Sequence, residues 1–261
     1  LSLSVNEAVE SAYRDGILTT TSLMVGAPAA ADAVMRAQRL PGLRVGLHLV
    51  VIEGPAILPR RLIPDLVGSD GQFPSDQAKL GVRYYFSLAA RRQLRAEIKA
   101  QFAAFAATGL RLDHANAHKH MHLHPTVGRL LIEEGRPYGL PAIRVPAEPP
   151  DIMAALGQRP NLADRTLFQW TRVLRAQAHR AGLRTNDHAF GLGWTGHMTA
   201  ERLLRLAAVL PPGLSEIYFH PATKADASLS ALMPGYEHAA EFATLLDPAL
   251  AAAFPNRVTY G

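Results

Sequence analysis

"LDHANAHKHMHLHP", residues Leu112 to Pro125, holds five of the chain's 11 histidines, at positions 114, 118, 120, 122 and 124. Spacing alone admits two conformations. On a helix, His114, His118 and His122 would share one face; on a strand all five, being even-numbered, would share one side. The residues leading in, LRLDHAN, read as a strand, and Pro125 suits the first turn of a following helix, PTVGRLLIEEGRPYG. The stretch is therefore a strand entering a helix through a histidine-rich turn, the unit from which parallel α/β sheets are built. Five imidazoles in one internal stretch point to metal or acid–base chemistry.

The same alternation extends in both directions. SVNEAVESAYRDGI carries a capping-box signature, Ser4 with Glu7 three residues later, ahead of an apolar-periodic helix that Gly16 ends. ILTTTSLMV reads as a buried strand, PAAADAVMRAQRL as a helix and LRVGLHLV as a strand. Residues 53–76 form a Pro- and Gly-rich excursion of the kind that rims active sites. AARRQLRAEIKAQFAAFAATG is a strong helix. After the histidines come a strand (LPAIRVP), a helix (LADRTLFQWTRVLRAQAHRAG), a glycine-rich FGLGWTGHM, a helix (TAERLLRLAAVL), a strand (LSEIYFHP) and a terminal helical region. No linker or repeat divides residues 1–261, so the order predicts one α/β domain, an open parallel sheet or a barrel.

Composition narrows the chemistry. With 48% hydrophobic residues the chain can build a substantial core, and with no cysteine any metal must be held by His, Asp or Glu. The absence of cysteine fits a cytoplasmic protein, and no apolar run is long enough to span a membrane. The net charge of +5 comes largely from scattered arginines with few aromatics beside them. That argues against a nucleic-acid partner and leaves room for contact with anionic membrane surfaces.

Three histidines from distant parts of the chain fall at strand ends. His48 closes LRVGLH, His118 follows LRLDHAN, and His220 ends EIYFH. In parallel α/β folds the ligand site lies beyond the carboxyl ends of the strands, so all three are expected at one site. Arg144, at the end of PAIRV, suits either an oriented substrate group or a salt bridge. His188 and Trp194, with Asp187 and His197, flank or sit in the glycine-rich segment, which reads equally as a lid stacking on a sugar ring and as an ordinary surface loop.

The segments "LSLSVNEAVESAYRDGILTTTSLMV", "VGLHL", "LDHANAHKHMHLHP", "YGLPAIRVP" and "YFHPAT" come in the order that resembles the YdjC-like carbohydrate deacetylases, over essentially the whole chain. "NAHKHMHLHP", "GHM" and "FHPAT" are most similar to its hopanoid-biosynthesis-associated (HpnK-type) branch. The resemblance implies a distorted (β/α) barrel that removes acetyl groups from N-acetylated sugars. It also implies one divalent metal, Zn²⁺ or Mg²⁺, held by an aspartate with His48 and His118. The implied substrate is an N-acetylglucosamine-type sugar, glycolipid-linked in the hopanoid branch, with the enzyme cytoplasmic or at the inner membrane surface. Homo-oligomers fit as well. The family's Asp-Asp-Phe-Gly motif directly precedes Leu-Ser, and this sequence begins at that leucine. The metal-binding aspartate, the catalytic base and the first strand are accordingly expected ahead of Leu1. Asn116 stands where many relatives have aspartate.

The expected chemistry is metal-assisted amide hydrolysis with His220 delivering a proton to the departing amine. Two rivals stand beside it: a sugar- or lipid-binding pseudoenzyme, and another metal-dependent amidohydrolase. A glycosidase would need paired carboxylates where this chain has histidines.

Overall fold

Residues 1–260 are described by the computed structural model. Helix α1 (Leu3–Asp15) leads to β1 (Thr20–Leu23), α2 (Ala30–Gln38) and β2 (Arg44–Leu49). A small hairpin, β3 (Gly54–Pro55) with β4 (Gln72–Phe73), precedes α3 (Gln77–Phe86) and α4 (Leu88–Ala107). Then come β5 (Leu112–Ala117), a 3₁₀ turn (His118–Leu123), α5 (Pro125–Gly135), β6 (Ala142–Ile143), α6 (Pro150–Ala155) and α7 (Leu162–Arg180). The chain finishes with β7 (Arg184–Thr185), β8 (His188–Phe190), α8 (Ala200–Ala207), β9 (Ser215–Ile217), α9 (Ala227–Leu232), α10 (His238–Leu245) and α11 (Pro248–Ala253).

The main sheet has the order β1-β2-β5-β6-β7, and each pairing in it is parallel. A second parallel pair, β8 with β9, continues the curve, tied back where Ala189 N–H donates to the Ala147 carbonyl. Residues of β1 and of β9 line one cavity, so the sheet bends round until its two ends face each other, a distorted and open barrel. The fold is α/β with a mostly parallel sheet. Among the described residues no helix is long and apolar enough to cross a membrane.

Close packing at the strands depends on one missing side chain. A Cβ on Gly46 would lie 2.5–2.6 Å from three ring atoms of His114, so only glycine lets that ring lie against β2. Outside the sheet, α4 sends Leu94, Ile98, Phe102 and Phe105 into the core and Phe102 stacks on Tyr138 at 5.6 Å. Burial of each such side chain stabilises the fold by about 1.5–3 kcal/mol. The same helix ties down the 53–76 excursion and the stretch just before it with two buried polar residues. Glu97 accepts from the N–H groups of Ile57 and Leu58, and Gln101 bonds both the N–H and the carbonyl of Val50.

Four local expectations need correction. Helix α1 begins at Leu3 behind Ser2, and the Ser4/Glu7 capping box is not made. Ser4 Oγ instead donates to Asp226 and Glu7 accepts from Thr223, because tertiary partners outcompete a local cap. Residues 77–86, which follow the excursion and to which the sequence reading assigns no element, form a helix capped by Asp76. A short strand, β8, precedes the glycine-rich segment. Finally, β9 stops at Ile217, so His220 lies three residues beyond the strand.

Candidate active site

His48 is the penultimate residue of β2, and the parallel register sets it beside Asn116 of β5. His48 Nδ1 lies 2.5 Å from the Asn116 side-chain amide. The amide has two orientations with different consequences. With its oxygen on His48, its nitrogen faces the Arg144 guanidinium, donor against donor. Turned over, its oxygen accepts from Arg144 at 3.2 and 3.3 Å and from Ser22 at 2.9 Å, and its nitrogen donates to His48. The first orientation leaves His48 Nε2 with a free lone pair; the second moves that ring's proton onto Nε2.

Just past β5 the backbone turns through Lys119 and His120, whose φ values are +49° and +53°. Left-handed backbone costs a non-glycine residue roughly 1–2 kcal/mol, so two in succession need firm support. His122 supplies much of it: the Ala117 N–H donates to its Nδ1 at 3.2 Å, and its Nε2 lies 3.0 Å from the Arg144 carbonyl. Lys119 pairs with Glu53, and His120 Nε2 lies 3.3 Å from the Tyr218 hydroxyl. The outcome is to bring His118 against His48, with ring centroids 5.8 Å apart and planes at 67°.

Electrostatics keep these rings neutral. Burial, reinforced by His118 and Arg144, holds His48 well below the usual imidazole range. Burial and the Lys119 cation lower His118 to about 4, against an opposing pull from Glu53. His120 is lowered to about 4 by burial and Arg144. A neutral imidazole is the form that binds a metal. Among the described residues no group of three or more His, Cys, Asp or Glu is arranged to hold one, and His48 and His118 form a pair of neutral imidazoles.

Across the cavity, His220 is fixed through its backbone. Its N–H donates to Glu241 and its carbonyl accepts from His238. The ring lies between Tyr218 at 5.8 Å and Tyr236 at 5.2 Å, and its buried Nδ1 has no hydrogen-bond partner. Burial, then Arg144 and His120, lower it to about 3. His220 is therefore neutral at rest, so a proton it hands on must be acquired during the reaction. Arg144 is paired with Glu216 through two nitrogens, and its guanidinium carbon sits 5.1 Å from the Tyr218 ring centre.

A cavity of about 910 Å³ has His48, His118, His120, Arg144, Tyr218 and His220 in its wall. That is large enough for a sugar with an apolar attachment. Two residues expected at the site lie elsewhere. Trp194 is only 4% exposed, packed in a core cluster with Met153, Phe190 and Leu203. It turns inward because Glu148 accepts the N–H groups of Gly191, Leu192 and Gly193, so the segment is clamped down and is no stacking lid. His188 begins β8 rather than ending it, and its register partner is Ser215, the first residue of β9. It therefore sits at the opposite end of the strand from a carboxyl-end site, outside the cavity wall. Glu53, Glu216 and Tyr218 were not anticipated. The last two had a legible signal, since 216, 218 and 220 alternate like one side of a strand.

A model of the family described as YdjC-like protein matches residues 1–255. The chain belongs to the YdjC-like family. A carbohydrate deacetylase of Vibrio vulnificus is 36% identical over 141 residues, which is 54% of this chain and 53% of that protein. A carbohydrate deacetylase of Geobacillus stearothermophilus is 29% identical over 258 residues, 98% of this chain and 89% of that protein. The match to the Vibrio relative spans about half of its length. A crystal structure from Enterococcus faecalis V583, named for cellobiose-phosphate cleavage, shares the YdjC-like chain's fold. Its TM-score is 0.74 at 22% identity, over 97% of this chain and 89% of that one.

Proposed function

We propose that this protein is a metal-dependent carbohydrate N-deacetylase that hydrolyses the acetamide of an N-acetylglucosamine-type sugar. The observation that carries the reading is the His48–His118 pair, two neutral imidazoles from separate strand ends meeting in the wall of a sugar-sized cavity. The names of the relatives agree with it. His48 and His118 would hold one Zn²⁺ or Mg²⁺, which when bound supplies Lewis-acid activation of water and of the amide carbonyl. The family resemblance assigns the remaining metal ligand and the base to an aspartate pair, which would complete the site.

The chain's own residues then divide the remaining work. Asn116 orients His48, and the strained turn presents His118. His220, neutral at rest, is suited to pick up the proton that the base has taken from water and to deliver it to the leaving amine. Arg144, held charged by Glu216 against the cost of burial, sets a fixed ion pair in the cavity wall. The finer reading, a glycolipid substrate of the hopanoid type handled at the cytoplasmic membrane surface, is supported by the "NAHKHMHLHP" and "FHPAT" motifs and by the apolar character of much of the cavity wall.

The test is metal content together with amine release from an N-acetylglucosamine-bearing substrate. It compares this chain, a form extended upstream and His118→Ala. The extended form should bind about one metal and deacetylate, and His118→Ala should lose both. Normal turnover by His118→Ala would refute the site. A sugar-binding protein without catalysis is the second reading, favoured by the absence of a third ligand among the described residues. Sugar binding by the extended form without amine release would establish it.

A further inference from the structure

Two helices flank the histidine turn and carry apolar side chains on their outer faces. On α3, Phe86 is 74% exposed and Tyr85 54%, with Val82 one turn earlier and Leu88 at the start of α4 also open. On α7, Trp170 is 46% exposed, between Leu167 and Val173 at spacings of three. The turn joins the two faces. The Tyr85 ring lies 5.0 Å from Phe86 and 6.2 Å from His124, and the Trp170 indole N–H donates to the carbonyl of the adjacent Leu123 at 2.9 Å. Leu167, one turn before Trp170, enters the cavity wall together with His118 and Lys119. An apolar strip therefore runs from open surface to the mouth of the site. Exposed strips of this kind mark interaction surfaces.

Cations border the strip. Arg95, Arg129 and Arg165 are paired with carboxylates. Lys79, Arg83, Arg91, Arg92 and Arg172 form no ion pair among the described residues. Lys79 stands three residues before Val82 and Arg92 four after Leu88, so both fall on the same helix faces as the apolar residues. We infer that this strip docks the protein on the anionic surface of a lipid bilayer. Tyr85, Phe86 and Trp170 lie in the interfacial layer and the unpaired cations on the headgroups. A second copy of the chain fits this face poorly, because a two-fold contact would set the same unpaired cations against each other. Docking brings the cavity mouth to the membrane, where a sugar head group could be reached while its apolar anchor stays in the layer. That last consequence rests on the deacetylase reading; the docking itself does not.

The chain has two tryptophans, one on the strip and one in the core, which makes the test direct. The protein is mixed with phosphatidylglycerol-containing vesicles and with pure phosphatidylcholine vesicles, and co-sedimentation is measured alongside quenching of tryptophan emission by brominated lipid. Binding should favour the anionic vesicles and weaken with salt, and quenching should survive Trp194→Phe but disappear in Trp170→Phe. Lys79→Gln and Arg92→Gln should each lower partitioning about fivefold. Phe86→Gln with Leu88→Gln should lower it at least tenfold while circular dichroism and turnover of a water-soluble N-acetylated sugar stay unchanged. Absence of binding to anionic vesicles would overturn the inference. So would a strip variant that changes only the sedimentation of the protein alone, since the face would then be a contact between copies. Vesicle binding is read without turnover, so its failure leaves the deacetylase reading intact, and the reverse holds as well.

Discussion

Asn116 is where one side chain most sharply limits the proposed chemistry. An amide has one acceptor oxygen to offer, and both His48 and Arg144 compete for it. An aspartate would accept from both and fix His48 with Nε2 free. Asn116→Asp should therefore raise affinity for Zn²⁺ roughly 10- to 100-fold, measured by calorimetric titration of the upstream-extended form. Unchanged affinity would show that Asn116 does not orient the ring. Gly46 makes a purely steric demand on the same pair of strands. Gly46→Ala should destabilise the fold by about 1–3 kcal/mol, seen as a lower urea midpoint, because the His114 ring has no free space to move into. The histidines of the cluster likewise separate into individual tasks: His118 faces His48, His122 pins the turn, His120 meets Tyr218, and His124 packs on Tyr84 and Tyr85.

Elements are held in register across the barrel by a small number of buried polar ties. The most consequential joins the end of β6 to β9 through Arg144 and Glu216, with Tyr260 bonding the same carboxylate. Removing one partner of such a pair leaves an uncompensated buried charge. Arg144→Ala should cost about 3–5 kcal/mol in chemical denaturation, whereas Arg144→Met combined with Glu216→Leu should recover most of that loss. If the single variant were as stable as the wild type, the pair would have no part in closing the barrel. The strand-helix order was legible in hydrophobic period and in Pro125, and helix α4 stood out for its length and composition. The two-residue strands β6 and β7 carry too little pattern to be bounded from sequence. Helix α3 follows directly on the Pro- and Gly-rich passage and is short, and its Asp76 cap was the local signal that marked it.

At the scale of the whole molecule, the cluster of neutral histidines sets the response to acid. In the unfolded chain these imidazoles protonate near 6.5, while His118 and His120 in the fold stay neutral down to about 4 and His220 to about 3. Below about pH 6.5 the unfolded state binds more protons than the native one, so stability is full above that pH and falls progressively as pH drops toward 4. The urea midpoint should decline steeply between about pH 7 and pH 4.5. His220→Gln, which removes one of these groups, should flatten the decline. A wild-type midpoint independent of pH over that range would contradict the burial of these rings.

The sequence by itself determined the alternation of strands and helices, the exclusion of thiolate chemistry, and the convergence of His48, His118 and His220 toward one end of a parallel sheet. Those features are local or follow from chain order: hydrophobic period, the absence of cysteine and the rule that strand ends gather. Only the tertiary structure decided which of the five clustered histidines faces His48, that Arg144 is already paired with Glu216, and that Trp194 lies in the core. It likewise brought Tyr85, Phe86 and Trp170 beside one turn. These depend on two left-handed residues in the turn, on a carboxylate clamping a glycine-rich segment, and on the packing of helices distant in sequence. Each is a balance between strain or desolvation and long-range partners, and no single stretch of sequence contains both sides of it.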